Sequence, residues 1–106
     1  DLNDYLPSPG LHPLLSQPWI ENVVKTRLPA QQQWTHWYDK ENSVAQLDYI
    51  LLSKRIAKKN PAAVPLIVRK GLPENAAAYT GSRFQGVGKL RPAASDHCPV
   101  AIKIAL

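Results

Sequence analysis

The chain has 106 residues, of which 44% are apolar and 20% are charged, with one cysteine, no methionine and ten prolines. This length suits one small domain at most. No apolar run reaches the roughly 18 residues that a membrane-spanning helix needs, and the first residues lack the basic and apolar regions of a signal peptide. The single cysteine, Cys98, excludes an internal disulfide, so the sequence leaves the cellular compartment open.

The charge is unevenly distributed along the chain. The formal net charge is +5, yet residues 1–53 carry three basic and six acidic side chains, whereas residues 54–106 carry ten basic and two acidic ones. A basic second half suits an anionic partner. A solvated basic face accounts for the same bias equally well.

The first predicted element is a short helix. Ser8 is placed as its N-cap and Pro9 at its first position, and Pro18 ends it. Residues 19–24 form either a helical or an extended segment that buries its apolar side. A polar connection follows at residues 29–33.

The middle of the chain predicts an antiparallel hairpin. Residues 34–38 are rich in strand-forming residues, a polar turn occupies residues 39–43, and the apolar run 47–52 is also strand-like. The two runs are therefore expected to pair across the turn.

The second half predicts a helical turn and two strands. Ser53 caps a helix over residues 54–59, which ends at Asn60 because Pro61 follows. Residues 64–68 form a strand, and Pro65 inside it favours either a sheet edge or the start of a strand. Residues 100–106 form a terminal strand. Between them, residues 71–91 lack periodicity and predict a loop.

Three short stretches carry polar residues that suit a divalent cation and a phosphate. Asp1 and Asn3 lie on one side of an extended chain, Asp48 interrupts an apolar run, and Asp96 and His97 precede the terminal strand. A buried carboxylate at position 48 must be paired or hydrogen-bonded. Each stretch taken alone also fits a turn or a structural acid.

Taken together, these stretches resemble a known superfamily. Asp1-Leu2-Asn3-Asp4, the run from Gln46 to Ser53, and Ala94-Ser95-Asp96-His97-Cys98-Pro99-Val100 are similar, in order, to the last three motifs of the endonuclease/exonuclease/phosphatase superfamily. The resemblance implies an α+β fold, namely the C-terminal half of a deoxyribonuclease-I-like, two-sheet β-sandwich flanked by helices. Residues 1–106 would form this partial domain, and the absence of an initial methionine also favours a segment of a longer protein.

The resemblance also implies roles for single residues. Asp1 would align or deprotonate the attacking water, and Asn3 would contact the scissile phosphate. Asp96 would assist metal binding, whereas His97 would bond a phosphate oxygen. Asp48 would orient His97 through one ring nitrogen, which agrees with the way a carboxylate fixes an imidazole tautomer.

The implied activity is a phosphoester hydrolase that uses Mg²⁺ or Mn²⁺, since hard oxygen ligands favour these ions. The substrate would be a phosphoester, with nucleic acid ahead of a phospholipid or an inositol phosphate. The superfamily's principal metal-binding Glu lies upstream of its Asp-x-Asn motif, so these 106 residues alone are expected to be inactive. They are also expected to self-associate through an uncovered sheet face. The alternative is a non-catalytic module that keeps the fold and binds an anion or serves structure.

One geometric expectation follows from the pairing of Asp48 with His97. Their strands should be neighbours, with a carboxylate oxygen of Asp48 roughly 2.6 to 3.2 Å from a ring nitrogen of His97. Asp96 should face the open side where a metal would bind. His36 either lines a groove or belongs to an aromatic core, and Cys98 is expected to be a buried small residue rather than a nucleophile.

Overall fold

The regular elements of this protein are short and are joined by longer loops. The computed structural model describes all residues from 1 to 106. The helices are α1 (His12–Leu15), α2 (Val23–Arg27) and α3 (Lys54–Lys59), with a 3-10 helix at Ala30–Gln32. The strands are β1 (Ile20–Asn22), β2 (His36–Tyr38), β3 (Ser43–Ala45), β4 (Leu51–Ser53), β5 (Leu66–Ile67) and β6 (Val100–Ala101). No helix has the length and apolar character needed to cross a membrane.

The strands form three antiparallel sheets of two strands each: β1 with β4, β2 with β3, and β5 with β6. In the first, Glu21 lies opposite Leu52, and in the second Trp37 lies opposite Val44. Helices and small antiparallel sheets in one chain are an α+β arrangement. The α+β class expected from the sequence is therefore confirmed.

The predicted hairpin has the right turn and the wrong second strand. β2 turns back at residues 39–42, but it pairs with β3 and not with the apolar run 47–52. After β3 the chain leaves the ladder, because the N–H groups of Leu47 and Asp48 both donate to Oγ1 of Thr35. The end of the apolar run instead forms β4, which pairs with β1.

The helix signals were local, and they were confirmed where a side-chain cap exists. α3 begins after Ser53, whose hydroxyl oxygen accepts from the N–H of Ile56 at 3.3 Å, and it ends at Asn60 as predicted. α1 begins at His12, later than expected, because the Ser8 hydroxyl donates to Asp4 and accepts from Gly10 instead of capping a helix.

The two strands predicted in the second half are shorter than expected. β5 and β6 pair over two residues each, with Leu66 opposite Ala101. Beyond β6 the backbone of Ala105 is bonded to the Asn60 side chain, at 2.7 Å through its N–H and at 2.8 Å through its C=O. The Asn60 side chain thus takes the place of strand pairing at Ala105. The predicted loop over residues 71–91 is confirmed.

The core lies where the β2 segment, the long loop and the start of β6 meet. Five buried residues form it: Trp34, Trp37, Leu72, Ala76 and Cys98. They come from parts of the sequence that are far apart, so the core holds the 96–98 segment against β2. This packing sets the position of the polar side chains described below.

Arg27 connects α2 to the end of α3. Its Nε lies 2.9 Å from Oε1 of Glu21, and Nη1 donates to the carbonyls of Asn60 (2.6 Å) and Ala63 (2.7 Å). Nη2 donates to the carbonyl of Ala57 at 3.2 Å, so the guanidinium satisfies carbonyls around the helix C-terminus. Hydrogen bonding from Arg27 lowers the pKa of Glu21 below its usual value.

Candidate functional site

Thr35 is the residue through which three segments of the site are connected. It is fully buried, and its N–H donates to the carbonyl of Ala45 at 3.0 Å. Its carbonyl accepts from Cys98 at 2.6 Å, and its Oγ1 accepts from Leu47 and Asp48 at 3.0 Å each. One threonine therefore holds the turn that carries Asp48 against the segment that follows His97.

The segment that carries the Asp96 and His97 side chains runs antiparallel to the start of β2. His36 and His97 form an isolated antiparallel bridge, and the N–H of Trp37 donates to the carbonyl of Asp96 at 2.9 Å. The expectation that the strand of Asp48 neighbours the strand after His97 is therefore wrong. The segment 35–37 lies between them, because Thr35 bonds one with its side chain and the other with its carbonyl.

The predicted contact between Asp48 and His97 is confirmed. Nδ1 of His97 lies 2.9 Å from Oδ2 and 3.2 Å from Oδ1 of Asp48. An ionised carboxylate only accepts, so Nδ1 must carry the proton. The other ring nitrogen, Nε2, has no hydrogen-bond partner in the structure and remains free for an external group. Partial burial of both side chains keeps this bond out of bulk water.

Asp1 joins this pair and Asn3 does not. Oδ2 of Asp1 lies 4.0 Å from Nδ1 of His97, and the N–H of Leu2 bonds the carbonyl of Leu47, which positions the first residues beside the Asp48 turn. Asn3 has a positive φ of 48° and donates its N–H to Oδ1 of Asp1 at 2.7 Å. No hydrogen bond connects its side chain to His97.

Asp96 and His36 lie on the other side of His97. The Asp96 side chain is 62% exposed, as expected for a residue facing the open side, and its Oδ2 lies 3.6 Å from Nε2 of His36. The rings of His36 and His97 are 4.7 Å apart between centroids. His36, from the aromatic segment, therefore belongs to the site. The sequence had left open whether it lines a groove or lies in an aromatic core.

A cavity of about 530 Å³ opens beside His97. Asp1, Asp48 and His97 form its polar end, and its apolar wall is formed by Val68, Leu72, Phe84 and Val100. Phe84 is half exposed. A polar end beside an apolar wall suits a ligand that joins a polar group to a flat or apolar one.

Among the carboxylates around His97, that of Asp96 keeps the most capacity for a cation. Both oxygens of Asp48 already face His97, whereas the Asp96 carboxylate is exposed and meets only His36. Mg²⁺ is held in many proteins by one or two carboxylates, with water and substrate phosphates completing its shell. Asp96 and Asp1 are the two exposed carboxylates near His97 that could take part in such a shell.

Cys98 is placed as predicted, because it is 2% exposed and belongs to the core. Burial raises the pKa of its thiol to about 11, so the thiolate nucleophile is suppressed.

Among the basic residues of the long loop, Arg83 is structural, since it donates to five backbone carbonyls of that loop. Lys89 and Arg91 are exposed and remain free to meet an anion.

Sequence reasoning missed Thr35 as a positioning residue. Its signal was weak: a hydroxyl residue between two tryptophans in a strand-like run. Such a residue is ordinary in a strand, and only the fold shows that its oxygen meets two backbone N–H groups.

Neither a scan against protein-family models nor searches of curated proteins and of solved structures found a match for this chain.

Proposed function

We propose that this chain supplies catalytic residues of a divalent-metal-dependent phosphoester hydrolase, in which activated water cleaves a phosphodiester. The observation that carries the proposal is the bond of 2.9 Å between Asp48 and Nδ1 of His97, with Asp1 beside it. A histidine held at one nitrogen by a carboxylate, with the other nitrogen free, is prepared to contact an anion or move a proton.

His97 would contact the phosphate. With Nδ1–H donated to Asp48, a second proton on Nε2 makes the ring a cation that can donate to a nonbridging phosphate oxygen. The carboxylate of Asp48, at hydrogen-bond distance, would offset the positive charge of that ring. The hydrogen bond from His97 to the phosphate oxygen would strengthen as negative charge accumulates on that oxygen in the transition state.

Asp1 would act on the attacking water. One carboxylate oxygen accepts from the N–H of Asn3, which restrains the side chain, and the other points to within 4.0 Å of His97. A half-exposed carboxylate at this place can accept a proton from water bound next to the phosphate. Asn3, on the adjoining turn, would contact the scissile phosphate.

Asp96 would hold the Mg²⁺ or Mn²⁺ ion. When bound, the ion offsets negative charge on the attacking and leaving oxygens. Nε2 of His36 lies 3.6 Å from the same carboxylate.

The fold-level part of the proposal is that residues 1–106 are the C-terminal half of a deoxyribonuclease-I-like sandwich. The α+β arrangement and the antiparallel sheets are compatible with it at a coarse level. The resemblance of the three motifs supports the finer assignment.

Nucleic acid is the substrate we favour over a phospholipid or an inositol phosphate. Residues 54–106 are strongly basic, and exposed Lys89 and Arg91 precede Asp96 in the chain. Cationic side chains bind the phosphate backbone without reading sequence. The half-exposed ring of Phe84 in the cavity wall offers a surface for a base to stack on.

The test is a plasmid-nicking assay with the natural protein that contains these residues, in Mg²⁺ or Mn²⁺ and after EDTA. We expect metal-dependent nicking that Asp48→Asn and His97→Ala abolish. The matched control is Asp39→Asn, which removes an exposed acid from the β2–β3 turn, and it should keep full activity. Nicking that survives EDTA undiminished, or equal activity in Asp48→Asn and Asp39→Asn, would contradict the proposal.

A further inference from the structure

A second group of metal-binding side chains shares His97. His36, Asp96 and His97 each place one ligand-type atom within 4.8 Å of the other two. Nε2 of His36 and Oδ2 of Asp96 lie 3.6 Å apart. The group contains two imidazoles and one carboxylate, which differs from the oxygen-rich set that magnesium requires.

Asp48 prepares His97 for this role. Because Nδ1 of His97 is bonded to the Asp48 carboxylate, Nε2 is the nitrogen left with a lone pair when the ring is neutral. A carboxylate that accepts the other N–H of a metal-bound histidine is the usual outer partner in zinc sites, where it fixes the ring and raises its basicity. Asp48 therefore has the place of such a partner.

The backbone fixes the two histidines relative to one another. His36 and His97 are bridge partners on adjacent antiparallel segments, and the carbonyl of Asp96 is bonded to Trp37. In a tetrahedral zinc site with bonds of 2.0 to 2.1 Å, ligand atoms lie about 3.3 Å apart. The 3.6 Å between Nε2 of His36 and Oδ2 of Asp96 is near that spacing, and all three ligand atoms lie within 4.8 Å of one another. The 62% exposed Asp96 side chain has room to move closer.

We propose that His36, Asp96 and His97 bind a zinc ion in preference to magnesium. Two imidazole nitrogens and one carboxylate oxygen are a known type of three-residue zinc ligand set that leaves a fourth position open. The zinc site does not depend on the hydrolase proposal. If both hold, zinc excludes the phosphoester, since it occupies the nitrogen of His97 and the carboxylate of Asp96 that the substrate and Mg²⁺ would use.

The first experiment is a calorimetric titration of the purified protein with ZnCl₂, in buffer that contains excess Mg²⁺ and no phosphoester. We expect one zinc site, weakened at least about tenfold by His36→Phe, which keeps an aromatic ring at that position. His12→Gln removes the third histidine of the chain, which belongs to neither group around His97, and should leave the Kd unchanged. Asp1→Asn should also leave it unchanged, because Asp1 belongs to the other group around His97.

A second measurement shows whether His36 is a ligand or only supports the fold. Co²⁺ in place of zinc should give the strong visible absorption of a tetrahedral site, and His36→Phe should lose it while its circular dichroism spectrum and Tm stay those of the wild type. His36→Gln serves as a second variant if the phenylalanine lowers the Tm.

Three results would overturn the zinc site: no zinc binding in excess Mg²⁺, equal zinc affinity in His36→Phe and wild type, or a loss of affinity in Asp1→Asn that matches the loss in His36→Phe. Because the titration contains no substrate, its failure is separate from a failure of the nicking assay.

Discussion

Two pairs of a basic and an acidic side chain in this molecule have the same N···O distance, but they differ in the groups around them. Arg27 and Glu21 lie 2.9 Å apart, and so do His97 and Asp48. Around Arg27 three backbone carbonyls accept from the remaining guanidinium nitrogens, and the same Glu21 oxygen also accepts from Thr26. Around His97, Nε2 has no partner and two exposed carboxylates, Asp1 and Asp96, lie nearby.

The difference shows how a structural pair is distinguished from a functional one. Distance alone does not separate them. The guanidinium nitrogens of Arg27 all donate to groups of the protein, whereas Nε2 of His97 can still bond to a ligand from outside the protein. Substitutions in the two pairs should therefore affect different measurements, stability in one and turnover in the other.

The largest expected effect is on turnover. Asp48→Asn keeps the shape of the side chain but removes the charge that stabilises a cationic His97, so kcat for phosphoester cleavage should fall by about 10²- to 10⁴-fold. The Tm should change little, because the asparagine Oδ1 can still accept from Nδ1 of His97. Steady-state kinetics and a thermal melt check both. A large loss of Tm with near-normal kcat would place Asp48 among the structural acids.

Arg27→Ala should have the reverse effect. It leaves Glu21 and three carbonyls at the end of α3 without their partner, which should lower the free energy of unfolding by about 2 to 4 kcal/mol. The kcat of the folded fraction should stay that of the wild type. Urea unfolding measures the loss, and Lys25→Ala, an exposed change in the same helix, is the control that should cost little.

Thr35→Val should change both the free energy of unfolding and kcat. Valine has the same shape but no oxygen, so the N–H groups of Leu47 and Asp48 lose their acceptor and the free energy of unfolding should fall by about 1 to 3 kcal/mol. Because the Asp48 turn would no longer be fixed against His97, kcat should also fall. Thr35→Ser, which restores the oxygen, should recover kcat. Loss of stability without any loss of kcat would show that Thr35 serves only the fold.

The smallest expected effect is a pH dependence from Glu21. Its pKa is lowered in the folded protein from a usual value of 4.5, so the folded state favours the ionised form. The stabilisation is fully present above that usual value and is lost as the pH falls through the lower folded value. The difference in unfolding free energy between wild type and Glu21→Gln should therefore shrink on acidification below 4.5. A constant difference across that range would contradict this assignment.

The sequence predicted best what neighbouring residues determine. Ser53 and Asn60 bound α3 because a cap and a following proline act within one helical turn. The contact between Asp48 and His97 came from the resemblance of motifs. The pairing of residues 47–52 was wrong, because the buried hydroxyl of Thr35 outcompetes the hairpin ladder for the Leu47 and Asp48 N–H groups, and no local pattern shows that competition.

Only part of the site could be predicted from the sequence. Asp1, Asp48 and His97 come together as expected, and Asp96 faces the solvent. His36 could not be assigned from its aromatic neighbours, because only the bridge to His97 turns one face of that segment toward the site. Residues that act through tertiary hydrogen bonds leave little trace in a single sequence.

The most direct test of this account is the tautomer of His97, measured by long-range ¹H–¹⁵N correlation NMR on the neutral ring. Free histidine favours the proton on Nε2, but an acceptor carboxylate at Nδ1 reverses that preference. We expect the Nδ1–H form for His97 in the wild type and a shift toward the Nε2–H form in Asp48→Ala. An Nε2–H tautomer in the wild type would mean that Asp48 does not hold the ring, and it would contradict both the catalytic and the zinc-binding roles of His97.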